Sequence, residues 1–191
     1  KEFIQAPQVG NNAGASKSTI NILYAGNVGE GQGLHKIIPK MADRLKKRVH
    51  FKIIGDGGML QKLRGEVSKH DLDNVEIIAP MCRDALIKEY IATDVLFLHL
   101  NDYEAFQKVL PSKLFEYGAM NKPILAGISG YSKKFVETEL SDCAVFSPTD
   151  VEDAICKFES LNYSMKTRDK FIIKFERKKI MQELAGDIYS V

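Results

Sequence analysis

Six short apolar runs, each followed by a segment with helical periodicity, constrain the fold of this chain more than any other feature. The first run, residues 20–26, is apolar except for Asn21 and ends in Gly, as expected of a strand buried on both faces. The connections between the segments are short, as is typical of βα units. This alternation predicts an α/β domain built on a doubly wound parallel sheet of about six strands with right-handed crossovers.

The predicted strands and helices follow one another along most of the chain. The predicted strands cover residues 20–26, 50–54, 75–79, 94–100, 123–126 and 144–146. The predicted helices cover residues 34–47, 59–69, 83–92, a short helix opening at Pro111, 131–140 and 150–161, with a basic helix pair from Ser164 whose apolar contacts are Phe171, Ile172, Phe175 and Ile180. Residues 1–19 are rich in Gly, Asn, Ala, Ser and Gln, so we interpret them as a linker to one domain spanning residues 20–191.

Composition excludes several classes of protein. The formal net charge of +2 gives no ground for a nucleic-acid partner. The cysteines, Cys82, Cys143 and Cys156, are odd in number and widely spaced, and the histidines are equally scattered, so neither a disulfide framework nor a metal site is expected. No stretch approaches the roughly 20 apolar residues of a membrane span, and the N-terminus lacks the apolar core of a signal peptide. We therefore expect a cytoplasmic protein with free thiols.

Ligands of doubly wound sheets bind at the carboxyl ends of the strands, where this chain carries two glycine-rich turns. Residues 26–33 bring backbone amides close enough to contact a phosphate, although glycine turns before helices also occur for purely structural reasons. Residues 55–58 form the second turn, in which Asp56 either contacts a ribose, as in a dinucleotide enzyme, or caps the next helix. After the third strand, the backbone near Met81 is positioned to contact a base, and Arg83 either contacts a phosphate or simply begins a helix.

The stretch from Pro111 to Gly127 predicts a helix opening, a short amphipathic helix, a tight turn and a buried strand. Ser112 and Glu116 are four residues apart and share one face of that helix. A hydroxyl and a carboxylate beside a helix N-terminus are suited to a phosphate and to sugar hydroxyls, and together they suggest a nucleotide-sugar site. The alternative interpretation is that Ser112 is a cap and Glu116 complements the helix dipole.

These motifs, taken in order and spacing, resemble the family 4 glycosyltransferases, also called group 1 glycosyl transferases. The resemblance rests on Tyr24-Ala25-Gly26-Asn27-Val28-Gly29, on Gly55-Asp56-Gly57, and above all on Pro111-Ser112-Lys113-Leu114-Phe115-Glu116-Tyr117 followed by Lys122-Pro123-Ile124. It covers residues 20 to about 185. Such enzymes have the GT-B fold, and this chain is similar to their C-terminal, Rossmann-like, donor-binding domain.

The resemblance implies a nucleotide-diphosphate sugar donor, UDP-linked, and a retaining transfer that needs neither a metal nor a cofactor. It places Glu116 on the ribose hydroxyls, and Lys113 where it neutralises the charge of the departing diphosphate, so that these two are the predicted catalytic residues. The predicted donor-binding residues are Gly26, Asn27, Gly29, Gly55, Asp56, Met81, Arg83, Ser112, Lys113 and Glu116.

The sequence also departs from the family pattern. Many members have a glutamate eight positions before the one that Glu116 matches, whereas this chain has Lys108 there and its nearest upstream acid is Glu104. Asn27 and Gln32 stand where many members have Arg and Lys. These departures resemble a branch that makes bacterial surface polysaccharides such as lipopolysaccharide, with hexosyl or N-acetylhexosaminyl transfer.

The family's acceptor-binding N-terminal domain has no counterpart in these residues. We therefore expect that the 191-residue chain by itself binds nucleotide weakly and transfers no sugar, and that a lipid-linked acceptor at the inner membrane face is used by the longer protein. Three alternatives remain open: a nucleotide-sugar epimerase of similar fold, a dinucleotide dehydrogenase, and a nucleotide-binding module without catalysis, which Lys108 in place of a glutamate favours.

Overall fold

A computed structural model describes residues 19–163 and 167–176 of this chain. Its strands are β1 (Ile20–Asn27), β2 (Val49–Asp56), β3 (Val75–Ile78), β4 (Val95–His99), β5 (Ile124–Gly127) and β6 (Cys143–Phe146). Its helices are α1 (Leu34–Leu45), α2 (Leu60–Lys69), α3 (Arg83–Ala92), α4 (Ser112–Gly118), α5 (Gly130–Glu139), α6 (Val151–Glu159) and α7 (Asp169–Phe175), with 3₁₀ helices at Lys46–Arg48 and Glu104–Lys108. Nearly all of the predicted linker lies outside the described residues.

The six strands form one sheet in the order β3-β2-β1-β4-β5-β6, and all five pairings are parallel. This order confirms the predicted Rossmann-like, doubly wound sheet. The strands β1 to β3 follow one another towards one edge of the sheet, and β4 to β6 follow one another from β1 towards the other edge. Strands β1 and β2 pair over their whole length, from Ile20 with Val49 to Asn27 with Asp56. Both strands extend past their predicted ends because Gly26 and Gly55 lie side by side in the ladder.

Helices cover both faces of the sheet and divide the core in two. On one face, α1, α2 and α6 pack over a cluster that includes Phe51, Phe97 and Phe146. On the other face, α3, α4, α5 and α7 pack over a cluster centred on Leu98 and Tyr117. Each fully buried side chain of this size stabilises the fold by about 1.5–3 kcal/mol, so both layers fix the sheet that positions the loops.

A buried arginine attaches the C-terminal segment to the domain. Arg168 is 5% exposed and donates hydrogen bonds to the carbonyl oxygens of Ser141 (2.8 Å) and Lys122 (2.9 Å). Phe171 on α7 then lies so close to Gly118 that a methyl group there would be 2.3 Å from its ring. The first helix of the predicted C-terminal pair is thus confirmed, whereas Ile180 lies outside the described residues.

Candidate functional site

Lysine, glutamate and tyrosine side chains meet at the carboxyl edge of the sheet, at the β1–β4 reversal. The ammonium of Lys113 lies 2.7 Å from Oε2 of Glu116, one turn further along α4. The Tyr90 hydroxyl of α3 donates to Oε1 of Glu116 at 3.2 Å and lies 3.5 Å from the Lys113 ammonium. Lys113 and Glu116 stay 24% and 40% exposed, so a ligand reaches both. We call these three side chains the Lys113 cluster.

Buried phenols support the Lys113 cluster from below. The Tyr117 hydroxyl accepts a hydrogen bond from the Ala25 amide of β1 at 3.1 Å, and its ring lies 5.7 Å from the Lys113 ammonium. Burial raises the pKa of Tyr117, and burial followed by the Glu116 carboxylate raises the pKa of Tyr90. Both phenols therefore stay protonated, and Tyr90 is fixed as a donor to Glu116.

Gly26, the next-to-last residue of β1, lies directly against the Lys113 cluster. A methyl group at this position would be 3.6 Å from Cε of Lys113 and 3.3 Å from the Tyr24 hydroxyl. Its φ of +154° is a conformation that residues with side chains rarely adopt. The backbone of Gly26 is therefore accessible beside the side chain of Lys113.

A glutamine side chain closes the loop between β1 and α1. Oε1 of Gln32 accepts hydrogen bonds from Nδ2 of Asn27 at 2.9 Å and from the backbone amide of Gly29 at 3.2 Å. Two N–H donors thus converge on one neutral oxygen. This is the arrangement that would bind an oxygen of a phosphate, so Asn27 and Gly29 are brought together as the sequence predicts.

The second glycine turn is explained by packing against the first. A methyl group at Gly55 would lie 1.8 Å from the carbonyl oxygen of Gly26, and one at Gly57, whose φ is +155°, would lie 2.6 Å from the Val28 oxygen. Asp56 is exposed and accepts a hydrogen bond from the Gly57 amide at 2.7 Å. Asp56 is not the α2 cap, because Met59 occupies that position.

The remaining predicted residues lie at neighbouring helix starts. Ser112 is exposed and is the first residue of α4, whereas Pro111 precedes the helix in an extended conformation instead of occupying its first position as predicted. Met81 is half-buried in the loop after β3, and the exposed Arg83 begins α3, the helix that carries Tyr90. Ser112 and Arg83 thus flank the Lys113 cluster by way of their helices.

Glu104 and Lys108 are the two residues that could compensate for the upstream glutamate of the family pattern. Both are exposed on a 3₁₀ helix, where the sequence predicts a loop. Phe106 of this helix packs against the β1–α1 loop, where a methyl group at Gly31 would lie 2.9 Å from its ring. The helix therefore borders the site, on the side of the β1–α1 loop.

His99 is the residue that sequence reasoning missed. It is fully buried at the end of β4; its Nδ1 lies 2.6 Å from the Gln32 carbonyl oxygen and its Nε2 accepts from the Thr149 amide at 3.0 Å. Burial lowers the pKa of His99 to about 4, so the ring is neutral, with its proton on Nδ1. His99 thereby ties the β1–α1 loop to the β6–α6 loop. A histidine inside an otherwise apolar strand was the available signal.

Residues 19–163 and 167–176 contain neither a metal-binding cluster nor a membrane-spanning helix. No group of three or more His, Cys, Asp or Glu side chains is placed to hold a metal ion in that part of the chain. None of its helices has the length and apolar character needed to cross a membrane.

Solved structures share this architecture. TarM of S. aureus, crystallised with UDP, superposes with a TM-score of 0.75 at 15% identity, over 97% of this chain and 37% of TarM. Anabaena HepE in complex with UDP-glucose gives 0.68 at 15% identity over 92% and 50% of the two chains, and the lipopolysaccharide outer core galactosyltransferase WaaB gives 0.70 at 15% identity over the same shares. At this identity the likeness shows the fold, which is that of GT-B glycosyltransferases.

Sequence comparison shows the family. The Escherichia coli protein WcaI, whose name assigns it to the glycosyl transferases of colanic acid biosynthesis, is 36% identical over 94 residues, which are 49% of this chain. The aligned part is 23% of WcaI, so this chain spans about a quarter of that relative's length. The family model described as glycosyl transferases group 1 matches residues 11–178. This chain therefore belongs to the group 1 glycosyl transferases.

Proposed function

We propose that this domain binds the nucleotide of a UDP-linked sugar and forms the donor side of a retaining, metal-independent glycosyl transfer. The single observation that supports this most strongly is the Lys113 cluster, which lies beside Gly26 at the strand reversal where doubly wound sheets bind ligands. A carboxylate and an ammonium in one exposed group match the two ends of a ribose diphosphate.

Glu116 is the proposed ribose ligand. Tyr90 and Lys113 hold one oxygen each at 3.2 and 2.7 Å, which fixes the plane of the carboxylate before a ligand arrives. Each oxygen retains a lone pair, so the two hydroxyls of a ribose can donate to it. Pre-orientation reduces the entropy that the side chain would otherwise lose on binding.

Lys113 is the proposed partner of the diphosphate. Cε of Lys113 would lie 3.6 Å from a methyl group at Gly26, and its ammonium lies 2.7 Å from Glu116, so a phosphate in front of Gly26 would contact it. As the bond between sugar and diphosphate breaks, negative charge develops on the leaving oxygen, and a fixed cation stabilises that charge. Lys113 would thus supply the positive charge that a metal ion supplies elsewhere.

The other predicted residues complete the proposed nucleotide site. Gly26, Asn27, Gly29 and Ser112 would offer N–H and hydroxyl donors to the phosphates, while the edge formed by Gly55, Asp56, Met81 and Arg83 would contact the ribose and base. Asn27 and Gly29 become available when Gln32 releases them.

The acceptor site would lie in a part of the protein outside these 191 residues. The names of WcaI and WaaB point to colanic acid and lipopolysaccharide, so we propose a bacterial cell-envelope polysaccharide as product and a hexosyl or N-acetylhexosaminyl group as cargo. A separate N-terminal domain would bind the acceptor, lipid-linked and at the cytoplasmic membrane face. The 191-residue chain alone would then bind nucleotide weakly and transfer no sugar.

Calorimetric titration of this chain with UDP, GDP and NADH tests the proposal. We expect one nucleoside diphosphate, UDP, to bind, and Glu116→Ala to weaken it by about 1–3 kcal/mol, as for a lost hydrogen bond to a charged group. Binding of NADH alone would contradict the proposal and favour a dehydrogenase. Binding of GDP alone would keep the site and change the base.

A second titration separates the roles of the two catalytic residues. Lys113→Gln should weaken UDP more than uridine, because uridine carries no phosphate and loses only the orientation that Lys113 gives to Glu116, whereas Glu116→Ala should weaken both alike. Lys47→Gln, which removes an exposed charge before β2, at the opposite edge of the sheet, is the matched control. Equal losses for UDP and uridine in Lys113→Gln would refute the proposed role of Lys113.

A further inference from the structure

A basic depression of about 410 Å³ lies on the α1–α2 layer, on the opposite side of the sheet from α3 and α4, which carry the Lys113 cluster. It is formed by the first two turns of α1 and α2 and by the β6–α6 loop. Its lining residues are His35, Lys36, Lys40, Lys62, Glu66 and Thr149.

His35 in this depression is buried without a hydrogen-bond partner. Its side chain is 6% exposed, and among the described residues neither ring nitrogen has a donor or an acceptor within reach. Buried polar groups in native proteins are nearly always hydrogen-bonded, so an orphan of this kind calls for a partner beyond the described residues. Burial, and after it the nearby Lys62 ammonium, lowers the pKa of His35, whereas the carboxylates of Glu30 and Glu66 act in the opposite direction.

Positive charge dominates around His35. Lys36 and Lys40 are one turn apart on α1, so their ammoniums repel each other, and Lys62 faces them from α2. The one carboxylate that lines the depression, Glu66, also lies 3.7 Å from both Lys69 and His70, and so is shared with other cations.

Lys36 already has partners, whereas Lys40 and Lys62 point to an external one. The Lys36 ammonium donates to Oδ1 of Asn101 at 3.2 Å and lies 3.4 Å from Glu30. In the part of the chain that the structure describes, neither Lys40 nor Lys62 forms an ion pair. The first turn of α1 contains no acidic residue, and its positive dipole end adds to the positive charge of the lysines. Ammonium groups and an imidazole therefore surround one space.

We infer that this depression binds a phosphate group of a ligand other than the donor nucleotide. Lys40 and Lys62 would contact the phosphate oxygens, and the imidazole of His35 would donate to one of them. The inference does not require the Lys113 cluster to bind nucleotide. The phosphate belongs either to a soluble phosphomonoester or diphosphate or to a lipid, and both sources present the same oxygens.

Titration with inorganic pyrophosphate, followed through the ring signals of His35 by NMR, tests the inference. The titration is run without UDP and repeated with UDP in excess, so that any phosphate contact at the donor site is recognised. We expect the His35 signals to shift with saturation and the His35 pKa to rise on binding. Lys40→Gln/Lys62→Gln should weaken this binding about tenfold. Lys133→Gln/Lys134→Gln on the exposed surface of α5 removes the same charge elsewhere and should change nothing.

Vesicles distinguish the two sources of phosphate. Phosphatidylcholine vesicles with phosphatidic acid, but not without it, should retain the protein in a Lys40- and Lys62-dependent manner if the ligand is a lipid, and pyrophosphate alone should bind if it is soluble. Two outcomes would overturn the inference: His35 signals that do not move with either probe, or binding that the Lys40→Gln/Lys62→Gln variant retains in full. A response to UDP that abolishes the pyrophosphate response would also overturn it, because the depression would then belong to the donor site.

Discussion

The glycine turns after β1 and β2 and the Lys113 cluster occupy the same sheet edge, yet they are built in opposite ways. The turns are packed against each other so closely that Gly55 has no room for a methyl group. In the Lys113 cluster, Lys113 and Glu116 are partly exposed, and their charged groups contact each other where a ligand can reach them. The glycine turns are therefore explained by the packing of the fold. The Lys113 cluster, in contrast, carries polar groups that can still bind a ligand.

This difference changes the weight of the sequence motifs. Packing accounts for Gly55 and Gly57 without any ligand, so these residues give no independent support for phosphate binding. Packing does not require a carboxylate at position 116 or an ammonium at position 113, because both side chains are partly exposed. Lys113 and Glu116 are therefore the specific part of the donor motif, because the fold does not dictate which residues stand at these positions.

The largest effect is expected from Gly55→Ala. Its methyl group would lie 1.8 Å from the backbone oxygen of Gly26, and neither strand can move without breaking the β1–β2 ladder. Overpacking against backbone should cost about 3 kcal/mol or more, a large part of the roughly 5–15 kcal/mol that stabilises an ordinary domain. Thermal unfolding followed by circular dichroism measures this loss.

Gly58→Ala is the matched control, because no atom lies within 4 Å of a methyl group there. This variant should unfold as the wild type does, or slightly later, since alanine reduces the entropy of the unfolded chain. If Gly55→Ala also unfolds like the wild type, the proposed contrast between the two regions fails.

The fold was predictable because its signals are local. Apolar runs identified all six strands, and α3 begins and ends at the predicted residues, Arg83 and Ala92. The errors occur where a distant partner decides: β2 continues to Asp56 because β1 pairs with it, and α1 stops at Leu45, before Lys46 adopts a φ of +34°. No window of sequence contains those partners.

The next effect concerns His99 and pH. The folded pKa of about 4 lies below the ordinary 6.5, so the native state binds fewer protons and its stability rises with pH between these values. The contribution is complete above pH 6.5 and is lost as the pH falls to 4, which amounts to about 3 kcal/mol. Denaturant unfolding measured across this range reports the slope.

Comparison with His99→Gln isolates the contribution of this ring, because His35, whose pKa burial also lowers, titrates in the same direction. The difference in free energy of unfolding between wild type and His99→Gln should shrink as the pH falls. An unchanged slope in His99→Gln would show that His99 does not carry the effect.

The candidate site was less predictable than the fold. Glu116 and Lys113 were identifiable from their spacing on one short helix, but their partner Tyr90 comes from α3, 23 residues before Lys113. His99 likewise bonds Gln32 and Thr149, at separations of 67 and 50 residues. Polar networks of this kind depend on the crossing of loops from several strands, which the residues themselves do not encode locally.

Gln32 gives the smallest expected effect and the finest test of the comparison, because it is the part of the glycine region that packing does not fix. Its side chain is held by the two donors Asn27 and Gly29, which a phosphate would need. Gln32→Ala removes this competitor and should strengthen UDP binding about threefold, near the net value of one hydrogen bond, while uridine binds as before. His99 still holds the backbone carbonyl of residue 32, so the loop should keep its position.

Calorimetry with Gln61→Ala, an exposed residue of α2, as the control measures the change. Weaker UDP binding by Gln32→Ala would instead show that Gln32 contacts the phosphate itself, and that the glycine region, like the Lys113 cluster, contributes side chains to the ligand.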